Sequence, residues 1–466
     1  MSTLLDERRG APHPATLSPL RAAAVTGWGG GRRCHLARWT PRDADELRDG
    51  LSAVTERFPS GAIARGAGRS YGDAAQRSGG LVVDTTALKG IRLDGATGVA
   101  SVGSGVTIAE LLTAAIQAGW IVPVVPGTQH VTVGGAIAGD IHGKNHGTLG
   151  TFGAHVRSLT LLSADGELQT LAPGSAAGLF EATLGGMGLT GVIAAAELQL
   201  RRVAGPMLSV DTDRAQTLDE ILSLLDSPGG EHRVAWLDLL CGAEPRGVVT
   251  RAAHTDAPRR SAADVTTPAR AAVPARWPGG LLRTPVVRAF NELRFRRSPR
   301  HERGRIEAFG AHMFPLDVLD CWPRLYGAPG FYQYQLAVPR DQDRVLRDVH
   351  ECLTRFGVPS FLAVLKDFGP AAPAPLSFPI AGWTLALDLP RRAPRIDAAL
   401  QVCDRIVADA GGRVYLSKDA RLGGELTAAM YPRLPEWRNA RDRSDPDGIW
   451  RSDLALRTGL VEDRPQ

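Results

Sequence analysis

Cysteine and lysine are scarce in this chain of 466 residues, and it contains no long apolar run. The 5 cysteines are widely separated and form no C-x-x-C pair, which argues against a disulfide framework and a cysteine zinc site. No stretch approaches the roughly 18 uninterrupted apolar residues of a membrane-spanning helix. The segment up to Leu20 lacks the apolar core of a secretory signal, so we expect no signal peptide. A hydrophobic fraction of 44% excludes a disordered chain.

Lysine accounts for only 4 of the 54 basic residues, at positions 89, 144, 366 and 418. Arginine is permanently charged, whereas the ammonium of lysine has a pKa that its surroundings can shift. A lysine in a chain that otherwise uses arginine is therefore a candidate for chemistry that a guanidinium cannot perform.

Positive charge is concentrated between Arg251 and Arg305, where 13 arginines stand against 4 acidic residues. The segment is rich in proline and alanine and lacks the strands or recognition helix of nucleic-acid binding, so we expect no nucleic-acid partner. It is either a solvated flexible insertion or a contact with an anionic membrane surface. For the second alternative we expect Arg294, Arg296 and Arg297 to contribute to binding.

Strand and helix patterns alternate along the chain and predict an α+β fold. A helix is expected to open at Thr40 and Pro41, and another at Thr107, where Glu110 completes a capping box. The buried face of the second helix is predicted to contain Ile108, Leu111, Leu112, Ala115 and Ile116. In the second half, longer strands are predicted at 233–240, 332–338, 360–366 and 384–389, with helices at 344–356 and 396–408.

Three glycine-rich segments carry most of the functional signal. They read A-R-G-A-G-R-S-Y-G-D at 64–73, P-G-T-Q-H-V-T-V-G-G-A-I-A-G-D-I-H-G-K-N-H-G at 126–147, and L-G-G-M-G-L-T-G at 184–191. Successive glycines allow backbone amides to turn toward an anion, or a main chain to lie against a planar ligand. The glycines around His142 and His146 argue against a metal-binding helix there, and we expect no metal site.

Together these segments resemble the FAD-binding domain of the vanillyl-alcohol oxidase and p-cresol methylhydroxylase type. The runs F-Y-Q-Y-Q, A-P-L-S-F-P-I-A-G-W and G-G-R-V-Y-L-S-K-D further along are similar to those of the flavoprotein oxidase subunits of decaprenylphosphoryl-β-D-ribose 2′-epimerases. The resemblance extends from about Thr26 to Asp453. It departs at Ala386 and Thr384, where mycobacterial members have cysteine and asparagine.

The resemblance implies a two-subdomain FAD-binding domain and a substrate domain built on an antiparallel sheet with flanking helices. The expected bounds are 1–18 for a flexible N-terminus, 19–203 for the FAD-binding domain, 204–412 for the substrate domain with a mobile basic segment, and 413–466 for a segment that returns to the FAD-binding domain.

The resemblance also implies the residues of the site. Contacts to FAD are expected from Arg65, Gly66, Gly68, Arg69, Ser70, Tyr71, Gly127, Thr132, Gly134, Gly135, Gly139, His142, Ile193 and Tyr415. The substrate is expected to meet Lys144, Trp236, Gln333, Gln335, Lys366 and Lys418. Covalent members attach the flavin to a histidine in the first glycine loop; Arg69 stands at that position here, which implies non-covalent FAD.

The implied reaction is oxidation of the 2′-hydroxyl of a polyprenyl-phosphoryl ribofuranose to the keto sugar, with hydride transfer to FAD. A separate NADH-dependent reductase would then give the arabino epimer, and the enzyme would be peripherally associated with a membrane. Lys418 is either the group that polarises or deprotonates the 2′-oxygen or a contact to the phosphate. His142 is expected with Lys418 at the catalytic centre, either as a hydrogen-bonded histidine that packs against the flavin, which we favour, or as the base. The alternatives are an oxidase of free alditols, sugars or aldonolactones, and a flavin-free scaffold protein.

Overall fold

The computed structural model describes residues 20–175, 178–256, 261–275, 277 and 282–462. The expected flexible N-terminus at 1–18 lies outside these residues. Within the described residues, helices and strands are mixed as predicted, and none of the helices is both long and apolar enough to cross a membrane.

The first half of the chain builds two sheets. A four-stranded sheet has the order β1-β2-β4-β3, with β1 antiparallel to β2 and the other pairs parallel. A five-stranded antiparallel sheet has the order β5-β6-β10-β8-β9. The strands of these two sheets are β1 (Arg21–Val25), β2 (Cys34–Trp39), β3 (Ala62–Arg65), β4 (Leu81–Asp84), β5 (Ile91–Leu93), β6 (Val99–Gly103), β8 (Val156–Leu162), β9 (Leu168–Leu171) and β10 (Val192–Gln199). Two short strands, β7 (Trp120–Ile121) and β11 (Arg201–Arg202), pair with each other.

The second half of the chain is dominated by one eight-stranded sheet, antiparallel in every pair, with the order β16-β12-β14-β13-β19-β20-β18-β21. Its strands are β12 (Met207–Ala215), β13 (His232–Asp238), β14 (Arg246–His254), β16 (His301–Ala308), β18 (Phe331–Pro339), β19 (Leu362–Phe368), β20 (Gly382–Pro390) and β21 (Arg413–Val414). The short strands β15 (Ala271–Ala272) and β17 (Leu319–Asp320) pair in parallel.

The helices cover these sheets. They are α1 (Ala44–Asp49), α2 (Leu51–Arg57), α3 (Ile108–Gln117), α4 (Val133–Ala138), α5 (His146–Leu149), α6 (Leu179–Thr183), α7 (Leu218–Asp226), α8 (Ala262–Val265), α9 (Thr284–Arg297), α10 (Phe309–Met313), α11 (Arg344–Phe356), α12 (Ile396–Asp409), α13 (Gly424–Met430), α14 (Leu434–Ser444) and α15 (Asp453–Arg457).

The helix predicted from Thr107 is confirmed. Thr107 accepts a hydrogen bond from the amide of Glu110, whose carboxylate accepts from the amide of Thr107, and the buried face contains the five predicted side chains. The helix predicted to open at Thr40 begins instead at Ala44 and is interrupted at Gly50. The reason is that the carboxylate of Asp43 accepts from the amide of Glu46, so Asp43 rather than Thr40 caps the helix.

The eight-stranded sheet presents different side chains on its two faces. Alternate residues of β18, β19 and β20, among them Tyr334, Leu336, Ala363, Leu365, Leu385 and Leu387, lie in a core with the buried sides of α11 and α12. Since successive side chains of a strand point to opposite faces, the residues between them face the first half of the chain. This second face forms one wall of the site.

The C-terminal segment contacts both halves of the chain. Val414 pairs with Leu336 of β18, whereas the amide of Tyr71 donates to the carbonyl of Ser417 at 3.0 Å. Further along, Trp450 bridges to Ala62 at the end of the four-stranded sheet. The domain bounds that the resemblance implies stay a prediction.

Candidate active site

A large cavity lies between the glycine-rich segments and the eight-stranded sheet. It encloses about 1700 Å³ of empty space, a part of which is open to solvent. The glycine-rich wall contains the predicted residues Gly66, Gly68, Arg69, Ser70, Tyr71, Gly127, Thr132, Gly134, Gly135, Gly139, His142 and Ile193. The strands of the sheet contribute Gln333, Gln335 and Lys366, also predicted, together with Ala386, and the C-terminal segment contributes the predicted residues Tyr415 and Lys418.

Three predicted residues have their polar groups or rings elsewhere. Arg65 donates to the backbone carbonyls of Ala75 and Thr26. The ammonium of Lys144 donates to the carbonyl of His312, and Trp236 packs with Phe295 of α9. The structure therefore brings together most of the expected cofactor residues and four of the six expected substrate residues.

The first glycine loop is shaped by close packing against the start of α4. A Cβ atom on Gly66 would lie 2.1 Å from Oγ1 of Thr132, which is far inside van der Waals contact. The same hydroxyl caps α4 by accepting from the amide of Gly135. Gly68 has a φ of +64°, a left-handed conformation that favours glycine. The first glycine loop can therefore pack this closely against the start of α4 only because Gly66 has no side chain.

Arg69 supplies a buried, unpaired donor beside this loop. Its guanidinium stacks on Trp28 at 3.8 Å, and among the described residues its Nε atom has no hydrogen-bond partner. Burial lowers the pKa of Arg69. An arginine donor next to a glycine loop suits an anionic group such as a pyrophosphate.

His142 connects the two walls of the cavity. Its Nδ1 lies 3.1 Å from the Nζ of Lys366 on β19, and its Nε2 lies 2.9 Å from the side-chain amide of Gln335 on β18. Burial, followed by the charge of Lys366, holds the pKa of His142 well below its usual value, so the ring is neutral. The same side-chain nitrogen of Gln335 donates to Oγ1 of Thr384 at 3.1 Å, so Thr384 helps to fix the amide that faces the ring.

Lys418, in the C-terminal segment, lies against the first glycine loop. Its Nζ is 4.0 Å from the centre of the Tyr71 ring. Burial lowers the pKa of Lys418 to about 7, partly offset by the charge of Asp388. Burial likewise lowers the pKa of Lys366 to about 8. Each amine can therefore gain or lose a proton near neutral pH.

Asp388 is a functional candidate that the sequence analysis missed. It is 1% exposed, and its Oδ1 accepts from Nε2 of Gln333 at 2.7 Å. Burial raises the pKa of Asp388 to about 7. The signal in the sequence is a carboxylate inside the apolar run T-L-A-L-D-L-P at 384–390. A carboxylate buried within such a strand needs a hydrogen-bond partner from another segment, which marks it as a candidate for a functional role.

The cavity fits FAD on these observations. It has a glycine-lined floor, an unpaired arginine donor for phosphate, and amines from β19 and from the C-terminal segment. These are the features expected of a site that holds an anionic dinucleotide and admits a polar substrate from the other side.

Comparisons with known proteins agree with this assignment. A family model described as "FAD binding domain" matches residues 36–172. The chain is 37% identical over 457 residues to the decaprenylphosphoryl-β-D-ribose oxidase of Mycolicibacterium smegmatis, covering 95% of this chain and 99% of that protein. It is 31% identical over 186 residues to an alditol oxidase of a Streptomyces species, covering 38% and 42% of the two chains. It is 32% identical over 175 residues to cytokinin dehydrogenase 3 of Oryza sativa, covering 34% and 31%.

Replacing Gly66 with alanine should impair flavin binding, because the new Cβ would overlap the hydroxyl that caps α4. Overpacking of this kind costs about 1–3 kcal/mol, which corresponds to roughly 5- to 150-fold weaker binding. The ratio of flavin to protein absorbance during dialysis measures the loss. Gly95→Ala is the control, since no atom lies within 4 Å of its Cβ position. Equal flavin retention in the two variants would contradict the packing argument.

Proposed function

Because the chain belongs to the family of FAD-dependent decaprenylphosphoryl-β-D-ribose oxidases, we propose that it oxidises the 2′-hydroxyl of a polyprenyl-phosphoryl ribofuranose to the 2′-keto sugar. The observation that supports this substrate is the pair of partly buried amines, Lys366 of β19 and Lys418 of the C-terminal segment, that line the same cavity as the glycine loop. They suit a substrate that has both a secondary alcohol and a phosphate.

The roles of the chain's residues follow from their contacts. FAD, when bound, supplies the acceptor for the hydride of the alcohol. Gly66, Gly68 and Arg69 would hold the pyrophosphate, and Gly134 and Gly135 would let the backbone approach the ring system. Lys366 is fixed by its hydrogen bond to His142 and contacts the substrate. His142 packs against neighbouring aromatic rings and positions Lys366. Its two ring nitrogens are engaged by Lys366 and Gln335, so we do not assign it as the base.

Lys418 is the proposed proton acceptor for the 2′-hydroxyl. With a pKa near 7, the amine is largely neutral slightly above that pH and can take a proton. Asp388 positions this side of the site through Gln333 and stabilises the protonated amine that results. The proton then leaves Lys418 for solvent at the open part of the cavity.

The product requires a second enzyme. Oxidation removes a hydride from the 2′ carbon, and the proposed reaction does not return it. Conversion of the 2′-keto sugar to the arabino epimer therefore needs a reductase that delivers hydride to the opposite face of the sugar. We propose a separate NADH-dependent keto-sugar reductase as the functional partner.

Substitution of Lys418 by methionine tests the substrate and the role of the lysine together. With decaprenylphosphoryl-ribose and an artificial electron acceptor, the wild type should turn over, with kcat rising with pH through about 7 as the amine loses its proton. Lys418→Met should retain FAD and lose roughly 10²- to 10⁴-fold in kcat, the usual contribution of a general base. Lys89→Met is the control, since Lys89 is paired with Glu110 on the surface.

The outcomes separate the alternatives for this site. If Lys418 instead contacts the substrate phosphate, Lys418→Met should have a raised KM and a nearly unchanged kcat. Substrate binding by the wild type should then weaken as pH rises through about 7, because the amine loses its charge. Turnover of a free alditol with none of the polyprenyl-phosphoryl sugar would overturn the substrate assignment.

The flavin is proposed to be bound without a covalent link. Arg69 stands where covalent relatives have histidine, and none of the described residues that line the cavity is cysteine. His142, the one histidine in that lining, is held by Lys366 and Gln335.

Acid precipitation should therefore release all the FAD into the supernatant, as measured by its fluorescence. Yellow colour that stays with the washed, precipitated polypeptide would contradict a non-covalent site. Lys89→Met again serves as a folded control for quantitative recovery.

We also propose that the protein contacts an anionic membrane surface through α9. Val286, Phe290 and Leu293, spaced four and three residues apart, are each about half exposed on one side of this helix. Arg297 and Arg300 are exposed close to its end. On the buried side of α9, Phe295 packs on Trp236 of β13. Trp236 lies directly opposite Val364 of β19, which lines the cavity. A helix in this place would bring the cavity to a lipid-linked substrate.

The structure changes how the membrane contact should be tested. Arg294 stacks on Trp236 at 4.8 Å, and Arg296 forms an ion pair with Glu292, so these two arginines are engaged within the protein. Neutralising the three arginines that the sequence analysis named would also disturb the packing of α9. Arg297 and Arg300 are the better targets.

Binding to anionic vesicles should weaken with salt and with the double change Arg297→Gln/Arg300→Gln. At ~1 kcal/mol for each arginine near an anionic leaflet, the variant should bind roughly 30-fold more weakly in a sedimentation assay. Arg92→Gln/Arg355→Gln removes the same charge elsewhere and should bind as the wild type does. Equal binding of the two double variants would exclude α9 as the contact.

A further inference from the structure

A second group of ionisable side chains lies at one end of the eight-stranded sheet, where β13 begins and β14 ends. His232 on β13 is directly opposite Ala252 on β14. Because alternate residues of a strand share a face, His254 lies on the same face as Ala252 and therefore as His232. Glu231 immediately precedes β13, and its amide donates to the carbonyl of Ala252 at 2.8 Å. One potential ligand atom from each of Glu231, His232 and His254 lies within 4.8 Å of the other two.

The imidazole of His232 is buried without hydrogen-bond partners. It is 2% exposed, and among the described residues neither of its ring nitrogens has a partner. The Nδ1 atom of His254 likewise has no partner among those residues. Leaving a buried polar group unpaired costs about 1–3 kcal/mol, so several such nitrogens at one place call for an explanation.

The ring nitrogens of His232 are available to a cation. The carboxylate atom Oε1 of Glu231 is 3.5 Å from Nε2, which is longer than a normal hydrogen bond. An imidazole nitrogen that makes no hydrogen bond within the described part of the chain can offer its lone pair to a cation.

We propose that Glu231, His232 and His254 bind one divalent transition-metal ion of the zinc type. Two imidazoles and a carboxylate supply the nitrogen and oxygen ligands that Zn²⁺ takes, with a fourth position for water. Ligand atoms around a tetrahedral zinc ion are about 3.4 Å apart, so the three side chains must rotate slightly toward the ion. The three residues lie outside the lining of the flavin cavity, and the site is distinct from the one that carries the proposed oxidation.

Neighbouring charges set the strength of the site. Arg201 pairs with Oε2 of Glu231, and Asn145 donates to Oε1 at 3.3 Å. Lys144 also faces the cluster, but burial lowers its pKa to about 7 and its ammonium is held by the carbonyl of His312. These groups oppose a cation. We therefore expect weaker binding than at a structural zinc site, and selectivity for metals that prefer imidazole over oxygen ligands.

Equilibrium dialysis of the FAD-loaded protein with Zn²⁺, after treatment with a chelator, tests the site. The wild type should bind about one Zn²⁺ ion per chain. Glu231→Gln and His254→Asn should each weaken binding by at least about tenfold, since each removes a ligand. His301→Asn is the matched control, because His301 is on β16 of the same sheet and is largely exposed. The flavin absorbance of every variant reports whether it is folded.

Two results would overturn the proposal. One is a wild type that takes up much less than one ion per chain; the other is equal uptake by the wild type, both cluster variants and the control. Co²⁺ provides a measurement that needs no variant, because imidazole coordination should give visible bands at wavelengths beyond the flavin absorption. Their absence from the Co²⁺-treated wild type would also count against the site.

Discussion

The hydrogen bonds of His142 to Lys366 and Gln335 are the contacts on which the site depends. His142 follows α4 in the glycine-rich half of the chain, whereas Lys366 and Gln335 belong to strands of the eight-stranded sheet. One neutral imidazole thus fixes the distance between the wall that suits the cofactor and the wall that suits the substrate. The ring of His142 is buried between aromatic rings, and its centre is 4.8 Å from the centre of the Phe368 ring, so it has little freedom to turn. The two halves of the cavity are positioned by the same side chain.

Burial of several amines around one space is the main electrostatic cost of this arrangement. Burial and then the charge of Lys366 lower the pKa of Lys418 and of His142 in the cavity, and also the pKa of Lys144 outside it. A proton on Lys366 therefore makes protonation of these groups less favourable. Asp388 offsets part of this repulsion at Lys418. A bound pyrophosphate or substrate phosphate would offset more, which links occupancy of the cavity to the protonation of its amines.

The sequence was informative where the signal is local. The capping box at Thr107 and the periodicity of the predicted helices correspond to helices in the structure, and the glycine segments carried the resemblance to a flavoprotein family. The scarcity of lysine identified Lys366 and Lys418. What could not be predicted depends on strand pairing: Asp388 gains its role from Gln333 on the neighbouring strand, and His232 and His254 meet only through the register of β13 with β14. Arg294 was assigned to a lipid surface because nothing in the sequence indicates that Trp236 lies beneath it.

The alternation of side chains across β18, β19 and β20 has a consequence for how this protein can diverge. Gln335, Ala386 and Val364 lie opposite one another in a row on the cavity face, while their sequence neighbours Leu336, Leu385 and Leu365 lie in the core with α11 and α12. Substitutions along the row alter the shape offered to a ligand without removing a core side chain. Selection on specificity and selection on folding therefore act on different residues of the same strands. Changes at position 386, where this chain has alanine, can accumulate while the scaffold stays intact.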